Sequence, residues 1–230
     1  MQTNQPDFEA LSRVLEEKRE RFTAFYRMLV EYNARFNLTT IIEEKEVHVK
    51  HFLDSLAGAE LIPPSSRVVE VGSGAGFPSI PLMLAREDLT FTLVESTGKK
   101  CEFLRAAIRE LGLHAEVCNA RAEDVGRDPA FREKFDVCVA RAVARLNTLA
   151  EYCMPLVKRG GRFIAYKGTA DELTDGKKAL SVLGGGTTQV ISYELPEAYG
   201  ARTLIAVEKK SSTPQRYPRG NGAERRNPIV

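Results

Sequence analysis

The sequence predicts an α/β fold, a mostly parallel sheet covered by helices, closed by an antiparallel C-terminal hairpin and preceded by helices. Three observations carry that expectation. From residue 67 onward, short β-branched runs alternate with amphipathic stretches, the pattern of parallel strands joined by crossover helices. Near the end the alternation stops, and 187–194 and 202–208 are β-rich with no helix between them, so they should pair as a hairpin at the sheet edge. Between the first run, 67–71, and the first crossover lies Gly72-Ser73-Gly74-Ala75-Gly76-Phe77-Pro78, a glycine turn leading into a helix whose first turn accepts proline.

The composition bounds the class. With 43% hydrophobic and 28% charged residues, 230 residues suffice for one sizeable core, and disordered or fibrous classes are excluded. No apolar run approaches the ~20 residues of a membrane span. Met1 to Asp7 lacks the basic and apolar regions of a secretory signal, so a cytoplasmic location is expected. Cys101, Cys118, Cys138 and Cys153 are scattered without CxxC spacing, as buried free thiols are. His48 and His51 have no second pair of ligands, and no metal is expected.

Taken in order, 7–34 reads as one long amphipathic helix, with Phe8, Leu11, Leu15, Phe22 and Leu29 at helical spacing. Asn33 to Asn37 breaks the pattern. A second helix is expected over 44–60, ended by Pro63-Pro64, so that 1–66 forms a helical extension packed on the core. The core, 67–210, should then run helix 79–86, strand 90–95, helix 98–112, strand 115–119, a short helix near 121–126, strand 135–140, helix 147–158, strand 161–166 and a helix near 171–183. Gly160-Gly161 reads as the turn before strand 161–166. Residues 211–230 form a basic tail on what is otherwise a single domain. From Lys209 to Val230 six basic residues face one acid, +5, which leaves −3 on the other 208 residues. Two readings of that charge stand, a polyanion contact and a solvated, solubilising tail.

In such a sheet, ligands lie beyond the C-terminal ends of the strands. Gly72-x-Gly74-x-Gly76 is not a dinucleotide fingerprint, which requires a glycine where Phe77 stands, and it looks like the S-adenosylmethionine version of the turn. A βα turn that binds nothing is the competing reading. Glu95 closes the second strand, where a carboxylate can accept from both ribose hydroxyls. Ala122-Glu123 follows the third strand, on the adenine side, although Glu123 also suits a helix N-terminus. At the end of the fourth strand stands Arg141, with Arg145 one turn on. The Asn/Asp-Pro-Pro-aromatic tetrapeptide of amino-group methylation is absent, and Cys138 reads as core rather than nucleophile. Arginine is a poor base, which suits a nucleophile that has no proton to lose, such as guanine N7. A plain ion pair is the alternative. Lys167 ends the fifth strand, where it could meet phosphate or base, and Lys99, Lys100 and Arg105 could meet an RNA backbone.

Several segments resemble one family closely. Arg35-Phe36-Asn37-Leu38-Thr39, His51-Phe52-Leu53-Asp54-Ser55-Leu56, Val71 to Pro78, Val94-Glu95-Ser96, Tyr166-Lys167-Gly168 and Thr213-Pro214-Gln215-Arg216-Tyr217-Pro218-Arg219 are similar in order and spacing to the bacterial small-subunit rRNA methyltransferase G (GidB/RsmG) family. The resemblance spans nearly the whole chain. It implies a Class I, Rossmann-like methyltransferase that uses S-adenosylmethionine to methylate N7 of a guanine in 16S rRNA near the decoding site. By position, Gly72, Gly74, Gly76, Phe77, Glu95, Ser96, Ala122, Glu123 and Arg141 would hold the cofactor, with Arg141 and Lys167 catalytic. Asn37, Thr39, His51, Lys99, Lys100, Arg145, Arg216 and Arg219 would face RNA. Ser79 and Ala223 depart from a glycine and a proline usual in the family. The implied partner is 16S rRNA or the small subunit, with no membrane and a monomeric enzyme. The rival readings are a non-catalytic RNA-binding or assembly factor on the same fold, and a small-molecule methyltransferase.

Overall fold

The computed structural model describes residues 5–230. β1 (Arg67–Val71), β2 (Thr90–Val94), β3 (Ala115–Cys118), β4 (Phe135–Arg141) and β5 (Val157–Lys167) run parallel. β7 (Ala201–Lys209) is inserted antiparallel between β5 and β6 (Gly185–Glu194), giving the order β3-β2-β1-β4-β5-β7-β6. The predicted hairpin is therefore present, with its second strand lying inside the sheet and its first at the edge.

Successive strand residues serve opposite faces, as the two-residue repeat of a strand requires. Val68, Val137, Val139 and Ile164 join one buried cluster, while Val69, Cys138, Ala140 and Ala165 join the other. The first cluster takes its cover from α5 (Ser79–Ala85), α6 (Gly98–Glu110) and the N-terminal helices. The second takes it from α8 (Leu146–Cys153) and α9 (Leu173–Val182).

The N-terminal helices are bound to the glycine turn by aromatics. Phe25 is fully buried, with its ring 5.4 Å from Phe77, 5.8 Å from Phe52 and 6.4 Å from Phe103. Burying one such ring contributes about 2–3 kcal/mol. Residues 7–34 are two helices, not one: α1 (Phe8–Glu17) is capped by Asp7, whose Oδ1 accepts from the Glu9 and Ala10 N–H groups, and Lys18 (φ −107°, ψ 20°) breaks the chain before α2 (Arg19–Phe36). Lys18 and Arg21 both reach Glu87, at 3.1 and 2.9 Å, and hold the corner. α2 then stops at Asn37, which takes the left-handed conformation (φ 51°) that asparagine tolerates.

The second predicted helix, 44–60, is also composite. α3 (Glu44–Val47) passes into a π-helical turn, His48–Leu53, and then α4 (Asp54–Leu56). Such wide turns are frequent at functional sites. The predicted helix 147–158 ends early, because Met154–Leu156, with Pro155, tightens into a 3₁₀ turn. β5 begins at Val157, and Gly160-Gly161 lies within it as a bulge rather than as the turn before it. Phe135 pairs with Val157 but Val137 pairs with Arg162, and a Cβ on Gly161 would stand 2.5 Å from the Asp136 carbonyl oxygen.

Candidate active site

Two cavities open at the C-terminal ends of the strands and meet at the backbone of Ala142-Val143, just past β4. The smaller, about 230 Å³, is a cleft over the glycine turn, lined by Gly72, Gly74, Glu95, Ser96, Ala122 and Glu123 among others. Gly72 (φ +72°) approaches so closely that a Cβ there would lie 2.6 Å from Val143 Cγ2. The turn is fixed from beneath by the Gly72 N–H donating to the Val94 carbonyl oxygen at 2.8 Å. Glu95 fixes it from the side, accepting from the Gly74 N–H at 3.0 Å and, on its other oxygen, from the Thr97 N–H at 2.7 Å. Each carboxylate oxygen keeps a further lone pair. Glu123 lies in the first turn of α7 (Ala122–Val125), where its charge suits the helix N-terminus.

The larger cavity, about 590 Å³, is built by side chains around Arg141. The guanidinium donates to the Lys50 carbonyl oxygen at 3.1 Å and to Asp54 Oδ2 at 3.0 Å, and its second nitrogen lies 3.1 Å from His51 Nδ1. It sits 5.0 Å from the centroid of the Phe77 ring, on which His51 stacks at 4.3 Å. Asp54 is buried, accepts from the Tyr193 hydroxyl at 2.9 Å, and has Arg202 Nε at 3.7 Å. Lys167 donates to the Ala144 carbonyl oxygen at 2.6 Å and to Glu172 Oε2 at 2.7 Å, so its ammonium ties β5 to the loop after β4.

Arg141 also bears on the state of His51. His51 Nδ1 lies 3.1 Å both from the Arg141 guanidinium, which only donates, and from the Lys50 carbonyl oxygen, which only accepts, while Nε2 lies 3.1 Å from the Thr39 hydroxyl. Burial and the Arg141 charge lower the His51 pKa to about 3, and the ring is neutral at physiological pH. Beneath the glycine turn, Glu70 is fully buried. Its Oε2 accepts from the Ser79 hydroxyl at 2.6 Å, Oε1 has no partner among the described residues, and burial raises its pKa to about 8. Ala142, at the junction of the two cavities, has φ +56°, rare for a residue with a side chain.

The residues singled out in the sequence divide between these places. Gly72, Gly74, Glu95, Ser96, Ala122 and Glu123 line the cleft, and Lys100, expected on RNA, lines it too. Gly76 and Phe77 do not. A Cβ on Gly76 would meet Ile80 Cδ1 at 2.4 Å, and the Phe77 ring is buried under His51 and Arg141. Arg141, His51 and Lys167 line the larger cavity, with Thr39 bonded behind His51. Asn37 is an exposed helix cap. Lys99, Arg145 and Arg216 are exposed, whereas Arg219 is held by the buried Glu151 carboxylate at 2.7 Å. Tyr193, Arg202 and Glu172 escaped sequence reasoning, because no local motif marks a residue on a hairpin strand or loop that meets Asp54 or Lys167 only in the fold. Asp54 was visible as part of a motif, without its role.

A mostly parallel sheet with one inserted antiparallel strand, carrying a glycine turn and a strand-end carboxylate, defines the Class I methyltransferase fold. Solved structures agree: an S-adenosylmethionine-dependent O-methyltransferase from Thermotoga maritima matches with TM-score 0.55 at 16% identity, covering 81% of this chain and 73% of that one. A precorrin-6y C5,15-methyltransferase from Geobacter metallireducens matches at 0.50 and 14%, covering 76% and 92%. Within that class the chain belongs to the rRNA small subunit methyltransferase G family, whose pattern it matches over residues 18–199. It is 47% identical over 221 residues to ribosomal RNA small subunit methyltransferase G of Lactobacillus acidophilus, covering 93% of this chain and 92% of that one. With the protein of the same name from Staphylococcus aureus it shares 43%, covering 94% and 92%.

Proposed function

We propose that the chain transfers a methyl group from S-adenosylmethionine to N7 of a guanine in 16S rRNA, by direct in-line transfer with no covalent enzyme intermediate. The observation that carries this reading is the arrangement at Ala142-Val143: the cleft over the glycine turn on one side and, on the other, a cavity whose carboxylates and imidazole are already engaged, share these two residues. Asp54 is held by Arg141 and Tyr193, Glu172 by Lys167, and both ring nitrogens of His51 are taken up by Arg141, the Lys50 carbonyl oxygen and Thr39. Guanine N7 has a free lone pair and needs alignment, not proton removal, so a site with no disengaged base suits it.

The cleft fits the cofactor on its own terms. Gly72 admits close approach, and the spare lone pairs of Glu95 suit a pair of ribose hydroxyls. Ala122 and Glu123 would flank the adenine, with Ser96 on the ribose side. When bound, the cofactor supplies an electrophilic methyl on a sulfonium centre. Arg141, pinned by Asp54, Lys50 and Phe77, orients the cavity wall against which the base would rest, and Lys167 fixes the adjoining loop.

Lys99 and Arg145, both exposed, would supply salt-sensitive phosphate contacts. An unpaired guanine could splay from its loop into the larger cavity. No described helix is long and apolar enough to cross a membrane. Among the described residues only Val30, Ile42 and Val230 are exposed large apolar side chains, which supports a monomer, and a cytoplasmic site of action follows from the rRNA substrate. The test is incubation of the protein and labelled S-adenosylmethionine with small subunits from cells that lack the enzyme, followed by mass-spectrometric mapping of the rRNA. A single new N7-methylguanine is expected; methyl transfer to another atom, or none, sinks the reading.

A further inference from the structure

Read by charge, the C-terminal segment is either a polyanion contact or a solvated tail, but the structure gives much of that charge other work. Lys209 is fully buried, donating to the Met154 carbonyl oxygen at 2.6 Å and lying 3.5 Å from Glu133. Arg132 clasps the segment through the Thr213 and Tyr217 carbonyl oxygens, both at 2.8 Å, and Arg219 is locked on Glu151. The segment is thus strapped to the second core face, and it ends in α10 (Ala223–Arg226) beside the glycine-turn cleft.

There the strap delivers a side chain into the cleft wall. Arg225 and Tyr152 line the same cavity as Gly72, Glu95 and Glu123. Arg225 Nε donates to the Tyr152 hydroxyl oxygen at 3.0 Å, and that hydroxyl donates to Glu224 Oε1 at 2.8 Å. Glu224 is itself buried and held through its backbone, whose carbonyl oxygen accepts from the Thr148 hydroxyl at 3.1 Å. Burial and the Glu224 carboxylate push the Tyr152 pKa to about 12, so the tyrosine keeps the proton that this chain requires. Among the described residues no acceptor engages the terminal nitrogens of Arg225, which leaves a planar, donor-only group at the mouth of the cleft.

We infer that Arg225, oriented by Tyr152 and Glu224, is a cofactor-binding residue whose guanidinium packs on the purine ring of the adenosyl group. The inference rests on the reading of this cleft as the cofactor site. It reassigns the end of the tail from RNA contact to closure of that site. A guanidinium over an aromatic face contributes on the order of one cation–π contact, enough for about a ten-fold change in affinity.

The test is calorimetric titration of the full-length protein with S-adenosylhomocysteine and, separately, with adenosine. Arg225→Ala should weaken both ligands by about ten-fold, and by the same factor, because the contact is to the purine. Arg225→Lys, which keeps charge but not the plane, should recover little, and Tyr152→Phe should give a partial loss. Arg226→Ala, which removes the same charge one residue away, should change nothing. Equal affinity of Arg225→Ala and wild type, with unchanged melting temperature, overturns the inference, as does an equal loss in Arg226→Ala. Should Arg225→Ala not fold, Arg225→Lys decides: wild-type affinity in that variant overturns the stacking contact. Failure of the wild-type protein to bind either ligand overturns the reading of the cleft itself, a different result from any of these.

Discussion

The two cavities that meet at Ala142-Val143 are built by opposite means. The glycine-turn cleft is laid out mainly by segments at the C-terminal ends of β1 to β4, with Tyr152 and Arg225 brought to it from helices farther along the chain. The Arg141 cavity is held by long charged side chains gathered from four separated segments: Asp54, Arg141, Tyr193 and Arg202. A cleft floored by a glycine turn does not tolerate an added side chain at that turn. A site made of a buried charge network fails when any member is removed, because the remaining charge is left unpaired.

The largest expected effect tests the first half of that contrast. Gly72→Asp places a side chain where Val143 already stands and on a backbone with positive φ. Cofactor binding, read by calorimetry, and methyl transfer should both fall below detection. Arg141→Ala should separate the two regions, lowering turnover by about a hundred-fold or more while S-adenosylhomocysteine affinity stays within about three-fold. A parallel loss of cofactor affinity would place the guanidinium in the cleft and dissolve the contrast. The same variant should also lose about 3 kcal/mol of stability, because Asp54 stays buried with one fewer partner.

A smaller pair of effects assigns each region its own pH signature. His51 belongs to the Arg141 cavity and has its folded pKa lowered to about 3 from 6.5. Between those values the unfolded chain holds the extra proton, so this term is fully present above pH 6.5 and is lost as pH falls toward 3. Glu70 lies under the glycine turn with its folded pKa raised to about 8 from 4.5. Here the folded state holds the extra proton, so the term is fully present below pH 4.5 and is lost as pH rises toward 8. The two oppose each other between 4.5 and 6.5, and above 6.5, of this pair, only the Glu70 term still changes with pH. In denaturant titrations, stability should therefore fall by about 2 kcal/mol from pH 6.5 to 8, and Glu70→Gln should flatten that fall. A wild-type profile that is flat or rises over this range contradicts the assignment.

The smallest expected effects lie on the rims. Lys99→Ala beside the cleft and Arg145→Ala beside the larger cavity should each weaken RNA binding a few-fold at low salt, each reducing the salt slope by about one. Loss from one but not the other would show on which side the RNA lies.

This contrast also explains what the sequence revealed. The strand–helix alternation and the cleft were legible because each cleft residue stands just past a strand that its own β-branched run marks, so Gly72, Glu95 and Glu123 could be named from local pattern. The break at Lys18 was not, since no proline or glycine marks it and the corner is held by Glu87, far along the chain. Gly160-Gly161 misled for a related reason: a glycine pair signals a turn, whereas here it lets β5 bulge against the Asp136 carbonyl. Arg141 was visible as a strand-end cation, but its partners Tyr193 and Arg202 sit on the hairpin strands and meet it through Asp54 only once β7 has entered the sheet. The tail's sum of charges was legible, but no count of basic residues reveals that Lys209 is buried or that Arg219 lies on Glu151.

Ala142 carries a further consequence. An alanine at φ +56° costs roughly 1 kcal/mol relative to glycine, so Ala142→Gly should raise the melting temperature slightly. The same change would loosen the backbone next to Val143, which lines both cavities. A protein selected only for durability would carry glycine at 142; alanine suits one in which two bound molecules must be held in fixed alignment where two cavities share a lining.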